Sequence, residues 1–174
     1  MTKQKSQELI DKLGLRAHPE GGFYRETYRS KVAYHREATA NLCAEPSVCT
    51  AIYFMLTDES FSEMHRLAQD EVFHFYMGDP AEMLQIFPDG TSRIVTLGTD
   101  LAAGQVPQLV VPAGVWMGSS VISGGSYTLL GTTVAPGFDF CDYERGLRED
   151  LIKLCPQAEE RICALTRSVP TDID

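Results

Sequence analysis

The feature that most constrains the fold is a long series of short β-favouring segments, separated by turn signals, that runs from residue 49 to residue 134. Residues 49–56 form the most apolar of these segments, rich in the β-branched and aromatic residues that strands favour. Pro88-Asp89-Gly90 predicts a hairpin between residues 81–87 and 92–97, and Ser123-Gly124-Gly125 joins residues 116–122 to 127–134. Because no helical pattern interrupts the series, we expect an all-β sandwich or barrel of about eight or nine strands.

Helical spacing of apolar residues is confined to the two ends of the chain. It occurs in residues 5–15, and again in two stretches within about residues 142–166. A chain of 174 residues has the usual length of one domain. We therefore expect a single domain over residues 1–174, with a β-barrel over about residues 21–135 and short helices at both ends.

The charge balance restricts the class of partner. The chain has 15 Lys and Arg against 24 Asp and Glu, which gives a net charge of −9. Nucleic acids and anionic membranes are bound through basic surfaces, so neither is an expected partner. The N-terminus lacks the apolar core of a signal peptide and no apolar run approaches the ~18 residues of a membrane span, so we expect a soluble, cytoplasmic protein.

Few residues are available for metal or nucleophilic chemistry. There are four histidines and five cysteines, and no two cysteines form a Cys-x-x-Cys pair. This pattern argues against a zinc ribbon and against a secreted disulfide framework. We expect reduced thiols, most of them in the core.

Two stretches carry recognisable motifs, residues 62–78 and residues 104–120. They resemble the two motifs of cupins, HxHxxxE followed by six residues and a glycine, and PxGxxH. The chain keeps five motif positions: His65, Glu71, Gly78, Pro112 and Gly114. The resemblance implies a cupin double-stranded β-helix, or jelly-roll barrel, with its pocket inside the barrel.

Two positions that carry histidine in metal-binding cupins carry other residues in this chain, Leu67 and Met117. Leucine has no ligand atom, and a methionine thioether is a soft donor that suits few divalent metals. We therefore expect no metal and no other cofactor. If a divalent metal is bound, the expected ligands are His65, Glu71 and His74, although strand alternation places His74 on the face opposite Glu71 unless a bulge intervenes.

Further motifs resemble a narrower group, the small uncharacterised cupin subfamily defined as a domain of unknown function. The residues that carry this resemblance include His18-Pro-Glu-Gly-Gly22 and Pro136-Gly-Phe-Asp-Phe140. The resemblance covers nearly the whole chain and implies a homodimer.

His65 and Glu71 are the expected catalytic residues. We expect them on adjacent barrel strands, with the carboxylate orienting the imidazole and raising its basicity. Metal-free cupins of the sugar-nucleotide epimerase group are similar in using the first-motif histidine as base and a tyrosine as acid. Tyr24, Tyr53 and Tyr127 are equal candidates for this acid, and Asp139 and Asp142 for a second carboxylate. The alternative is that His65 and Glu71 are only a satisfied polar pair in the barrel.

The pocket is expected to be mostly apolar and to suit a small ligand with a ring or apolar face. Alternation places Trp116 outside it. The expected ligand-binding residues are Glu20, Tyr24, Arg25, Tyr53, Leu67, Phe73, His74, Phe75 and Met117.

The sequence thus predicts a cupin-type protein that binds a small, carbohydrate-like molecule and acts as a metal-independent isomerase or epimerase through His65 and Glu71. Two alternatives stay open. One is a metal-dependent cupin enzyme that uses His65, Glu71 and His74. The other is a ligand-binding or sensing module without turnover.

Overall fold

The computed structural model describes residues 2–33, 35 and 47–167, which form eleven strands and three α-helices. The helices are α1 (Thr2–Leu13), α2 (Arg148–Leu154) and α3 (Glu159–Ala164). The strands are β1 (Arg16–Ala17), β2 (Phe23–Arg29), β3 (Thr50–Thr57), β4 (Phe61–Leu67), β5 (Asp70–Gly78), β6 (Ala81–Ile86), β7 (Ser92–Leu97), β8 (Gln108–Val111), β9 (Trp116–Val121), β10 (Tyr127–Ala135) and β11 (Tyr143–Arg145).

The strands form two antiparallel sheets. One has the order β1-β2-β3-β10-β5-β8 and the other the order β11-β4-β9-β6-β7. Strands that follow each other in sequence, such as β4 and β5, therefore often lie in different sheets. This repeated crossing between two facing sheets is the jelly-roll arrangement expected from the cupin resemblance.

The space between the sheets is filled by apolar side chains from both of them. The residues of this inner core are Phe54, Leu56, Phe73, Met83, Leu97, Leu109, Val111, Val115, Met117 and Leu130. The predicted hairpin is confirmed, because β6 pairs with β7 from Ala81↔Leu97 to Ile86↔Ser92. The turn at residues 123–125 instead carries the chain from β9 in one sheet to β10 in the other.

The C-terminal helices pack on the outside of the five-stranded sheet. Their apolar side chains meet Met64, Leu84 and Ile86, and Trp116 packs against this outer cluster with the Arg66 guanidinium 4.4 Å above its ring. Trp116 therefore lies outside the inner core, as alternation predicts. Helix α1 covers the other sheet, where Ile10 and Leu15 pack against residues of β3 and β10.

The structure corrects the predicted boundaries at both ends of the barrel. Residues 143–145, expected to be helical, form β11 and pair with β4 from Tyr143↔Leu67 to Arg145↔His65. Pairing with a free strand edge outweighs the helical spacing of the leucines, and Leu147 remains 60% exposed. With β1 and β11 included, the strands extend from residue 16 to residue 145.

One cysteine differs from expectation. Cys49, Cys155 and Cys163 are free, but Cys141 is disulfide-bonded, and Cys43 lies outside the described residues. Sulfur pairing depends on distances in the folded chain, so spacing in the sequence did not reveal it. Among the helices of the described residues, none combines the length and the apolar character needed to cross a membrane.

Candidate functional site

A cavity of about 240 Å³ lies between the two sheets, beside the inner core. Its apolar wall includes Ile52, Phe54, Leu67, Phe73, Val134 and Phe138. Its polar groups come from both sheets and from the chain before β2, and they include His18, Glu20, Ser62, His65, Glu71 and Thr132. A concave, mainly apolar site with a few converging polar groups is typical of small-molecule binding.

His65 and Glu71 meet in this cavity, with 3.8 Å between His65 Nε2 and Glu71 Oε1. The prediction that they occupy adjacent strands of the barrel is wrong. His65 lies on β4 in the five-stranded sheet and Glu71 on β5 in the six-stranded sheet. The short connection after Leu67 carries the chain across the barrel, so the two side chains face each other from opposite sheets.

A second carboxyl group, that of Glu20, completes the site. Its Oε2 lies 3.6 Å from His65 Nε2, and the residue is only 7% exposed. The sequence predicts Glu20 only as a ligand-binding residue, and the structure places its carboxyl group beside His65. Of the two aspartates considered for this role, Asp139 lines the cavity, whereas Asp142 is buried against Gln69 and is not part of the wall.

Two glycines place Glu20 there. Gly21 and Gly22 have φ angles of +105° and +73°, which side chains disfavour. A Cβ on Gly21 would lie 2.1 Å from the Phe61 carbonyl oxygen, and one on Gly22 would lie 2.6 Å from that of Met55. The backbone of this turn therefore packs closely against β3 and β4. The Glu63 N–H also donates a hydrogen bond to the Glu20 carbonyl oxygen at 2.9 Å.

A hydrogen bond to the backbone sets the tautomer of His65. Nδ1 lies 2.7 Å from the Glu63 carbonyl oxygen, which can only accept, so Nδ1 carries a proton. In the neutral ring, Nε2 then holds the lone pair, and it faces the carboxyl groups of Glu20 and Glu71. The Tyr143 ring stacks on the imidazole at 5.3 Å, which restrains its orientation.

The carbonyl that orients His65 belongs to a residue that is itself firmly held. The buried Glu63 carboxylate accepts from Arg145 Nε at 3.1 Å and from the Arg167 backbone N–H at 3.1 Å. Neither Glu63 nor these arginines belong to the cupin motifs, and no local pattern in the sequence points to them. These hydrogen bonds connect Glu63 to Arg145 on β11 and to Arg167 in the segment after α3.

Burial raises the pKa of both carboxyl groups. The pKa of Glu20 rises to about 8, opposed in part by a hydrogen bond with Ser62. The pKa of Glu71 rises to about 7, opposed in part by the neighbouring His65 side chain. Near neutral pH the site therefore holds a protonated carboxyl group within about 4 Å of an imidazole nitrogen.

The structure brings together six of the residues predicted for the site. They are Glu20, Tyr24, His65, Leu67, Glu71 and Phe73, all in the cavity wall. Of the candidate acids, Tyr24 is thus the one in the cavity. Tyr127 packs under α1 with Met55 and Leu129. Sequence reasoning missed His18 as a site residue, although it belongs to the same His-Pro-Glu-Gly-Gly motif as Glu20.

Five predicted ligand-binding residues do not reach the cavity. Phe75 packs against the inner core, and Met117 lies fully buried within it. The other three lie in a chain of ring contacts apart from the cavity wall. The Arg25 guanidinium lies 5.6 Å from the Tyr53 ring, and Tyr76 contacts both Tyr53 and His74. Alternation explains this, since their neighbours Tyr24, Phe54 and Phe73 face the cavity.

The donors present do not fit the metal site of cupins. The predicted set of His65, Glu71 and His74 is not assembled, because His74 lies next to Gln108 at 3.2 Å and Thr133 at 3.4 Å, outside the cavity wall. Leu67 and Met117 supply no suitable ligand at the other motif positions. Within residues 2–33, 35 and 47–167, no group of three or more His, Cys, Asp or Glu side chains is arranged to hold a metal ion.

Comparisons with known proteins match both the sequence and the fold. Residues 7–145 match the family model Cupin_5, described as "Cupin superfamily (DUF985)". The uncharacterized protein YML079W of Saccharomyces cerevisiae is 30% identical over 157 residues, which cover 84% of this chain and 78% of that protein.

Two solved structures extend these matches. The crystal structure of protein SO0799 from Shewanella oneidensis is 36% identical, with a TM-score of 0.83 over 92% of this chain and 96% of that one. A cupin 2 domain-containing protein from Halorhodospira halophila is 14% identical, with a TM-score of 0.56 over 89% of each chain. At this identity the second structure supports the fold alone.

Proposed function

Since this chain belongs to the DUF985 family of the cupin superfamily, we propose that its barrel cavity is the site of a metal-independent isomerase or epimerase. In this proposal His65 moves a proton on a small ligand, assisted by Glu20 and Glu71. The proposal keeps the predicted histidine and glutamate and adds the second carboxyl group. The predictions of a homodimer and of a cytoplasmic location stay predictions.

The observation that carries the proposal is the environment of His65 Nε2. This atom has two buried carboxyl groups at 3.6 and 3.8 Å, and the pKa values of both groups lie near neutral pH. General acid–base catalysis is most efficient when the catalytic pKa lies near the working pH. Burial also penalises the charged forms of an imidazole and two carboxyl groups. Their presence together in one cavity therefore indicates a functional site.

This arrangement supports the transfer of a proton to and from carbon. The neutral His65 ring offers the Nε2 lone pair to a C–H bond that an adjacent carbonyl group makes acidic. A protonated Glu20 or Glu71, each within 4 Å of Nε2, returns a proton to the carbon. Tyr24 is the remaining candidate for a phenolic acid.

The cavity wall favours a small ligand with an apolar or ring face. Phe54, Phe73 and Phe138 provide flat apolar surface, and the polar groups lie beside it. A carbohydrate-like ligand presents such a face along its C–H bonds, so it stays within the proposal.

The test combines a ligand screen with a metal assay. A panel of monosaccharides, sugar acids, sugar nucleotides and 2-oxo acids is screened by thermal shift, and each hit is followed by NMR in D2O for loss of a C–H signal. We expect exchange that EDTA does not change and that His65→Ala lowers by at least about 10²-fold. His74→Ala is the control, since His74 lies outside the cavity wall, and it should exchange at the wild-type rate.

Three outcomes would contradict the proposal. Stoichiometric metal that is lost in His65→Ala would identify a metal-dependent enzyme. Exchange that persists in His65→Ala would assign the chemistry to another residue. If ligands bind but none of them exchanges a C–H proton, the protein is a binding module.

A further inference from the structure

Three polar side chains of the cavity lining, Arg16, His18 and Tyr24, are joined by contacts to Tyr24, and we name them the donor wall. Arg16 and Tyr24 are register partners on β1 and β2. Arg16 Nη2 donates to the Tyr24 hydroxyl at 2.8 Å, and the His18 ring meets the Tyr24 ring edge-on at 4.4 Å. The donor wall is therefore one packed unit and not three independent side chains.

Arg16 carries a positive charge that no carboxylate of the described residues neutralises. The other arginine of the cavity, Arg29, makes a two-point ion pair with Glu26 at 3.0 and 2.7 Å. The Arg16 side chain donates to the Tyr24 hydroxyl instead. In a chain with a net charge of −9, a guanidinium free of carboxylates at a cavity is suited to an anionic ligand group.

His18 offers a neutral N–H group to the same cavity. The backbone N–H of Glu20 donates to His18 Nδ1 at 3.2 Å, so a neutral ring carries its proton on Nε2. Burial is the main cause that lowers the pKa of His18 to about 3, and the neighbouring His65 and Arg16 side chains lower it further, so the ring stays neutral. A neutral imidazole N–H is a suitable donor to a carbonyl oxygen on which negative charge develops.

A third polar group faces the cavity without a partner. Thr132 on β10 is 5% exposed and lines the cavity, and its hydroxyl has no hydrogen-bond partner among the described residues. A buried hydroxyl without a partner costs free energy, which an oxygen atom of a bound ligand would relieve. The cavity thus offers a cation, a neutral N–H and a free hydroxyl around the acid–base group.

We propose that the ligand is a small oxo acid, with its carboxylate bound by Arg16 and its carbonyl oxygen bound by His18 Nε2–H. This inference rests on the proposed function and names its substrate class. In the reaction a C–H bond next to the carbonyl breaks and its proton passes to His65 Nε2. The electron pair of that bond forms a carbon–carbon double bond, and the carbonyl oxygen takes the negative charge, which His18 stabilises. Return of a proton to carbon completes isomerisation or exchange, with no change in oxidation state.

Binding of matched acids and ketones tests the ligand class. The probes are 2-oxobutanoate and phenylpyruvate. Each acid is compared with the ketone that has a methyl group in place of the carboxylate, which is butanone for 2-oxobutanoate and phenylacetone for phenylpyruvate. Calorimetry on the wild-type protein should give at least tenfold tighter binding of each acid. Arg16→Gln should abolish this preference, and Lys153→Gln, which removes one exposed charge from α2, should keep it. Equal binding of acids and ketones, or an unchanged preference in Arg16→Gln, would overturn the proposal.

The role of His18 is tested by exchange at C3 of the two acids in D2O. His18→Phe should lower the exchange rate at least tenfold while the Kd of each acid changes less than threefold, since Arg16 remains. A rate equal to that of the wild type would overturn the assignment of His18. Tight, Arg16-dependent binding of the acids without exchange would support the ligand class and contradict the proposed isomerase. Exchange of a neutral sugar that depends on His65 would support the isomerase and contradict the oxo acid.

Discussion

The surroundings of Glu20 disfavour the ionised form of its carboxyl group, and this makes the free energy of unfolding depend on pH. Burial is the main cause of its raised pKa, and the nearby Glu63 carboxylate raises the pKa further. The imidazole of His65 lies 3.6 Å away, outside hydrogen-bonding distance. The site is therefore under electrostatic strain whenever Glu20 is ionised.

This strain predicts how stability changes with pH. The pKa of Glu20 is about 8 in the folded protein against an ordinary value of 4.5, so the folded state binds its proton more tightly. The resulting stabilisation is present below pH 4.5 and is lost as the pH rises through 8, at about 1.4 kcal/mol per pKa unit as an upper limit. Urea unfolding of Glu20→Gln from pH 5 to 9 should show a shallower loss of stability than the wild type.

An exposed glutamate serves as the control for this titration. Glu8→Gln on α1 should keep the wild-type dependence on pH, because Glu8 is exposed. If Glu20→Gln and the wild type lose stability in parallel over this pH range, Glu20 does not titrate as a buried acid.

At the scale of elements, the turn between β1 and β2 decides where the second carboxyl group lies. Gly22 and Gly104 have nearly equal φ angles, +73° and +78°, but only Gly22 has backbone atoms in the space that a Cβ would fill. Gly104→Ala should therefore cost about 1–2 kcal/mol, from backbone strain alone.

Gly22→Ala should cost at least about 2 kcal/mol more than Gly104→Ala, because the added methyl group overpacks the contact with β3. It should also impair ligand-dependent proton exchange, since Glu20 is displaced, whereas Gly104→Ala should not. The measurements are urea unfolding and the exchange assay. Equal costs for the two variants would show that the turn is not held against β3 as described.

Local patterns predicted the elements better than they predicted the site. The β-favouring segments, the hairpin at residues 88–90 and the outward direction of His74 all follow from local rules of turn and alternation. The positions of Glu20 and Glu71 relative to His65 depend on which sheet each strand joins, and strand pairing between distant segments leaves no local signal. For the same reason the local spacing predicts a helix where β11 pairs with β4.

At the scale of the whole molecule, the C-terminal segment supports the strand that carries His65. The Met64 backbone N–H donates to the Leu165 carbonyl at 2.9 Å, and the Arg167 N–H donates to Glu63. Leu151 on α2 packs into the outer cluster with Met64 and is 1% exposed. The helices are thus part of the support of the site as well as a cover for the sheet.

This packing predicts that alanine substitutions at two leucines of the same segment lower the free energy of unfolding by different amounts. Leu151→Ala should lower the free energy of unfolding by about 2–5 kcal/mol, because it leaves a cavity in the outer cluster. Leu147→Ala should change it by less than about 0.5 kcal/mol, since Leu147 is 60% exposed. Chemical denaturation measures both, and a cost for Leu147→Ala equal to that for Leu151→Ala would contradict the packing.

The protonation of His65 is the central element of the proposed chemistry, and ¹⁵N NMR of the ring measures it without a ligand. In the wild-type protein we expect the neutral ring to carry its proton on Nδ1 and its lone pair on Nε2, and we expect an Nε2 shift that changes in Glu20→Gln. A ring with its proton on Nε2, or an Nε2 shift typical of metal coordination, would contradict the proposal that His65 acts as the base of a metal-independent site.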